Sequence, residues 1–172
     1  MSKTHLTWQE IQEDCRYLAN ELSDLNITCI IGVANGGMIP ATLIAKQLGV
    51  NKLLSCNLKS YQEDKPRDGV HNTTDIVKIN SFPSSEEIKN EKILIVDDLV
   101  DTGLTFKKIE EQLFTWSSTD NIFSEPSETW ASSTCDGFHT ATLYFKPKST
   151  YMPNHTVREF NNDEWIVFPW EN

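Results

Sequence analysis

The chain has 172 residues, 38% of them hydrophobic and 23% charged, a length and composition that suit one soluble domain with a single substantial core. Its formal net charge of −10 argues against nucleic-acid binding, which needs clustered positive charge. No apolar run approaches the roughly 20 residues that span a bilayer, and Met1 to His5 lead straight into a polar amphipathic segment, so neither a membrane partner nor a signal peptide is expected.

Thr7-Trp8-Gln9-Glu10 has the pattern of a capping box, with Leu6 and Ile11 spaced as a hydrophobic staple. Ile11, Cys15, Leu18, Leu22 and Leu25 follow at helical spacing and predict a helix docked on a sheet. The apolar run from Ile27 to Val33 is short and rich in β-branched residues, as in a strand buried on both faces. It ends in Ala34-Asn35-Gly36-Gly37, and a second helix follows, with Pro40 in its first turn and Gly49 as its stop.

The pattern then repeats. Strand 52–58 leads into a polar stretch, Lys59 to Thr73, without hydrophobic periodicity, and another strand covers 75–79. Ile93 to Val96 is the most emphatic strand and stops at Asp97-Asp98. Helix 105–116 carries Phe106, Ile109, Leu113 and Trp116 on one face. Residues 117–139 are polar and read as a surface excursion, and strand 140–145 comes after them. Strands alternating with helices imply a single α/β domain, 1–172, with a mainly parallel twisted sheet flanked by helices. Four scattered cysteines, Cys15, Cys29, Cys56 and Cys135, lack CxxC spacing and read as inert thiols in a reducing cytoplasm.

In open parallel sheets, ligands bind beyond the carboxyl ends of the strands. Both glycine-containing loops, 34–37 and 101–105, fall at such ends. The string Ile93 to Thr105 delivers two adjacent carboxylates, Asp97 and Asp98, to the sheet edge, then a tight turn and a helix N-terminus. Helix N-termini offer free N–H groups and a favourable dipole to anions. Gly103 lets the backbone wrap a phosphate, and Thr102 and Thr105 add hydroxyl donors. Carboxylates beside an anion site make sense if they hold sugar hydroxyls or Mg²⁺.

The whole string, a hydrophobic strand, two acidic residues, two apolar residues and then Asp101-Thr102-Gly103-Leu104-Thr105, resembles the phosphoribosyl pyrophosphate signature of the type I phosphoribosyltransferases. The resemblance covers most of the chain and is closest to the xanthine-guanine and hypoxanthine-guanine members. It implies that fold, with a small hood built from the terminal segments. It also implies a Mg²⁺-dependent transfer of 5-phosphoribosyl to a 6-oxopurine. Asp97 and Asp98 would lie near the ribose hydroxyls and Mg²⁺, the loop from Asp101 through Thr102, Gly103 and Leu104 to Thr105 would hold the 5′-phosphate, and Asp101 would be the general base.

Ala34, Asn35, Gly36 and Gly37 resemble the pyrophosphate loop, which in the family often contains a non-proline cis peptide. Asn35 stands where the family frequently carries Arg or Lys. Ser60-Tyr61, followed by Arg67, looks like the lid that closes over the pyrophosphate. Lys146, at a strand end, matches the lysine that meets the purine 6-oxo group. Trp165 and Ile166 lie in a C-terminal segment, 157–172, that looks like the base-binding region. The family also implies a homo-oligomer. Against a net negative protein, local features would have to attract the anionic substrate: Mg²⁺, loop N–H groups, Lys65, Arg67, Lys146 and Lys148. Two other readings stay open, the same fold acting on a pyrimidine and a non-enzymatic regulator that binds phosphoribosyl pyrophosphate.

Overall fold

The computed structural model describes residues 2–67, 70–122 and 137–171, with the side chains of 62–67 and 70–75 outside that description. The elements are β1 (Lys3–His5), α1 (Trp8–Leu22), a 3-10 turn (Ser23–Leu25), β2 (Cys29–Ala34), α2 (Met38–Leu48), β3 (Lys52–Arg67) and β4 (Val70–Ser81). They continue as α3 (Ser85–Ile88), β5 (Ile93–Val100), α4 (Leu104–Asp120), β6 (Phe138–Phe145), β7 (His155–Glu159) and β8 (Trp165–Val167). Six strands form the central sheet in the order β4-β3-β2-β5-β6-β7. All neighbours pair in parallel except β3 and β4, which are antiparallel.

The capping box at Thr7 forms as the sequence predicts. Thr7 Oγ1 accepts from the Glu10 N–H at 3.2 Å, and the Glu10 carboxylate accepts from the Thr7 N–H at 2.8 Å. Ile11, Cys15, Leu18 and Leu22 then fall on the buried face of α1 and join Ile30, Ile44 and Leu94 in one core. Each large apolar side chain buried this way contributes about 1.5–3 kcal/mol, enough to hold a helix whose other face is mostly polar. On the opposite side of the sheet, Ile31, Cys56 and Ile95 pack against Phe106, Ile109 and Leu113 of α4. Strand β5 feeds both cores alternately, Ile93 and Ile95 to one, Leu94 and Val96 to the other. Cys15, Cys29 and Cys56 are buried free thiols, and burial pushes them up to about 12, about 11 and about 12.

Three elements differ from the sequence expectation. Within the polar stretch 59–73, residues 59–67 continue strand β3 and 70–73 start β4. It pairs polar residue with polar residue, Gln62 with Asp75 and Glu63 with Thr74, so the ladder carries no hydrophobic signal. Strand β5 runs on through Asp97-Asp98 to Val100. Helix α4 extends to Asp120, into the expected excursion, and there Thr115, Ser118 and Thr119 donate their hydroxyls to carbonyls four residues back. Residues 123–136, the rest of that excursion up to β6, lie outside the described residues.

The hood forms from the terminal segments, as the resemblance implies. Lys3–His5 and Trp165–Val167 pair in parallel as a separate two-stranded sheet. Phe168 stacks on Tyr144 of β6 and on Trp170, with ring centroids 5.8 and 4.6 Å apart, and Trp170 meets Trp8 of α1 at 5.8 Å. That aromatic chain fastens the terminal sheet to the domain.

Candidate active site

Strands β2 and β5 are parallel neighbours, so their carboxyl ends bring the loops 34–37 and 101–103 to one edge of the sheet. The loops pack closely. A Cβ on Gly36 would stand 1.9 Å from Asp98 Oδ2, and one on Gly37 would stand 2.7 Å from the carbonyl oxygens of Val33 and Val96. Glycine is therefore required at both positions for the loops to approach. The Ala34–Asn35 peptide is cis.

Asp97 and Asp98 are consecutive near the carboxyl end of β5, and their carboxyl groups interact with each other. Asp97 lines a pocket of about 270 Å³ together with Thr102, Gly103 and Thr105, while Asp98 lies against Gly36. The Asp98 N–H donates to Asp97 Oδ1 at 2.9 Å. Burial, reinforced by the charge of Asp98, pushes Asp97 well above the usual carboxylate range. Burial likewise pushes Asp98 up to about 6. Buried carboxylates of this kind are relieved by a cation or by hydroxyl donors.

The N-terminus of α4 forms one wall of the same pocket. Gly103 caps it with φ at +84°, and no side chain bonds to the cap. First-turn N–H groups lack intrahelical partners and carry the positive end of the helix dipole, which is the physical basis for anion binding there. The connection between β6 and β7 clamps this turn from outside. The Thr150 N–H and hydroxyl both donate to the Thr102 carbonyl at 3.0 Å, and Tyr151 stacks on Phe106 at 5.3 Å. A side chain at Gly103 would meet Ser149 Oγ at 2.5 Å and Tyr151 Cβ at 2.6 Å.

Parallel pairing of β5 with β6 sets Val100 beside Phe145, so the next residues, Asp101 and Lys146, emerge together. The Lys146 N–H donates to the Val100 carbonyl at 3.0 Å. Its side chain is buried, with Nζ 3.4 Å from Asp101 Oδ1. Lys148 Nζ approaches the same oxygen at 2.9 Å. Burial raises the Asp101 carboxyl, but Lys148 and Lys146 outweigh it and hold the group below its usual value.

Ser60 of β3 joins the pocket wall, whereas Tyr61 does not. Tyr61 is exposed, between the ammonium groups of Lys59 at 5.6 Å and Lys78 at 5.3 Å. The backbone of Arg67 lies in β3, and its side chain, like that of Lys65, lies outside the described residues. Trp165 is 53% exposed on the hood, and Ile166 buries its side chain in the core, which leaves only its backbone for a ligand. The contact of Lys148 with Asp101 and the clamp from Thr150 and Tyr151 were not legible in the sequence. The only available hint was a second lysine two residues beyond Lys146.

The profile of the phosphoribosyl transferase domain matches residues 3–115. This chain belongs to the phosphoribosyltransferase family. A relative named xanthine-guanine phosphoribosyltransferase, from Gluconobacter oxydans, is 29% identical over 168 residues, covering 96% of this chain and 83% of its own. The solved purine phosphoribosyltransferase of Pyrococcus horikoshii superposes with a TM-score of 0.68 at 28% identity, covering 100% of this chain and 96% of that one. The Helicobacter pylori xanthine-guanine-hypoxanthine phosphoribosyltransferase shares the fold, with a TM-score of 0.71 at 21% identity over 98% and 94% of the two chains. In this phosphoribosyltransferase the family's strand, loop and helix account for the pocket at Asp97 to Phe106.

Proposed function

We propose that this phosphoribosyltransferase transfers 5-phosphoribosyl from phosphoribosyl pyrophosphate to a 6-oxopurine, forming the nucleoside monophosphate and releasing pyrophosphate. The observation that carries the reading is the convergence of Asp101 and Lys146 beside a pocket built on a helix N-terminus. The names of the relatives, xanthine-guanine and purine phosphoribosyltransferase, support the choice of acceptor.

Each step falls to a group with suitable chemistry. The 101–105 loop holds the 5′-phosphate on N–H and hydroxyl donors. The Ala34–Gly37 loop offers backbone donors to the pyrophosphate, with Asn35 adding no charge. As the purine ring nitrogen attacks C1 of ribose and the bond to pyrophosphate breaks, Asp101 accepts the proton that the base loses. Lys146 stabilises the negative charge that grows on the exocyclic oxygen. Trp165 stacks on the base, and backbone groups near Ile166 meet its far edge. Ser60, Tyr61 and Arg67 belong to the segment that covers the pyrophosphate.

Mg²⁺ suits this site. No group of three or more His, Cys, Asp and Glu side chains is gathered for a metal among the described residues, so a dedicated protein cage is lacking there. Two adjacent carboxylates, Asp97 and Asp98, fit an ion held by one or two acidic side chains plus substrate phosphates. Bound there, Mg²⁺ would neutralise charge on the leaving pyrophosphate. No helix among the described residues is long and apolar enough to cross a membrane, and the buried free thiols favour a cytoplasmic setting. A homo-oligomer is part of the same reading.

The test is a comparison of wild type with Lys146→Met on guanine, xanthine and hypoxanthine. The variant should lose turnover of all three while retaining phosphoribosyl pyrophosphate affinity. Undiminished turnover would remove Lys146 from the base site.

A further inference from the structure

Asp101 Oδ1 is sealed from solvent and has no hydrogen-bond partner of good geometry among the described residues. What it has instead is two ammonium groups, Lys148 at 2.9 Å and Lys146 at 3.4 Å. Both meet the same oxygen. Only one of these lysines is needed to hold Asp101, and Lys146 is the one assigned to the purine oxygen. When a base draws Lys146 away, a shielded carboxylate oxygen would be left without a counter-charge unless the second cation stays.

Lys148 is placed to stay. Its N–H donates to Asn162 Oδ1 at 2.8 Å, and the Ser149 N–H donates to the Lys146 carbonyl at 2.9 Å, closing a turn across Lys146 to Ser149. Thr150 then ties the following residue to the Thr102 carbonyl. The backbone on either side of Lys148 is thus fixed to the hood side and to the 101–105 loop, and the side chain need only span the gap to Asp101.

We infer that Lys148 is a positioning residue for base attack: it holds Asp101 by Oδ1, frees Lys146 for the exocyclic oxygen and leaves Oδ2 to accept the proton. This inference rests on the reading of Asp101 as general base and goes beyond it by assigning Lys148. The charged groups acting on Asp101 are Lys148 and Lys146, and together they keep it ionised against the effect of burial.

The test uses Lys148→Met and Lys148→Arg in the intact enzyme, with steady-state kinetics on a 6-oxopurine from pH 3 to 9. For Lys148→Met, kcat/KM for the base falls about fivefold, the upper range for a half-exposed ion pair. The acidic limb of kcat/KM moves to higher pH, because Asp101 has lost a cation that favours its ionised form. Lys148→Arg restores most of the rate and the limb. An unchanged kcat/KM and pH profile in Lys148→Met, with an active wild type, overturns this inference alone. Equal losses in the Met and Arg variants overturn it too, since they would report packing and not charge. A wild type inert towards every base overturns both this inference and the function on which it rests.

Discussion

Replacing Gly36 with alanine puts a methyl group 1.9 Å from Asp98 Oδ2 and 2.8 Å from its carboxyl carbon. Non-bonded heavy atoms settle at about 3.5 Å or beyond, so Asp98 or the loop must move by more than an ångström. Overpacking of this kind costs about 1–3 kcal/mol. Here the displaced group is a carboxylate assigned to the ribose hydroxyls and Mg²⁺, so the cost falls on the ligand as well as on the fold. If about 2 kcal/mol passes to the complex, the Kd for phosphoribosyl pyrophosphate rises about thirtyfold. Titration calorimetry in the presence of Mg²⁺ measures it. Gly49→Ala is the comparison: its φ is +69° and nothing lies within 4 Å of the added Cβ. That change costs about 1–2 kcal/mol of left-handed strain and lowers Tm by several degrees, with Kd unaltered. Wild-type affinity in Gly36→Ala, or the same loss of affinity in Gly49→Ala, would refute the reasoning.

Asp101→Asn removes the proton acceptor but keeps its shape, and kcat should fall by about 10²–10⁴, read by single-turnover nucleotide formation. Asp98 is raised from 3.8 to about 6, so between those values the folded chain holds a proton that the unfolded chain has released, and stability from this group is lost as pH rises through that window. Asp98→Asn should therefore melt a few degrees above wild type at pH 7.5, by a margin that shrinks towards pH 4, while phosphoribosyl pyrophosphate binding is lost; thermal scans across pH check the sign. Excess chelator should abolish turnover and added Mg²⁺ should restore it, and full activity in chelator would remove the metal from the account.

The sequence was most informative where one interaction is local and strong. The Thr7–Glu10 capping box, the doubly buried run in β5 and the Gly103 turn each declare themselves within a few residues. The Ser84–Glu87 capping box of α3 is equally local. The hood could not be read from local pattern, because its two three-residue strands gain register only from each other, Lys3 beside Trp165 and His5 beside Val167, across the length of the chain. Only the family resemblance supplied it. The β3–β4 pairing was hidden for a different reason: the sequence of its paired residues shows no apolar alternation. At the site, the carboxylates and Lys146 stand out by motif. The second hold on Asp101 does not, since the 2.9 Å approach of Lys148 depends on a turn fixed by Asn162 in a distant segment.

The most direct measurement incubates the protein with phosphoribosyl pyrophosphate, Mg²⁺ and, in separate reactions, guanine, hypoxanthine, xanthine, adenine, uracil and orotate, and follows nucleotide and pyrophosphate by chromatography. The account predicts that 6-oxopurines alone yield nucleoside monophosphate, with pyrophosphate in equal amount. Preference for uracil or orotate would contradict the assignment of the acceptor. Binding of phosphoribosyl pyrophosphate without product from any base would contradict catalysis itself and favour a regulatory role for the same pocket.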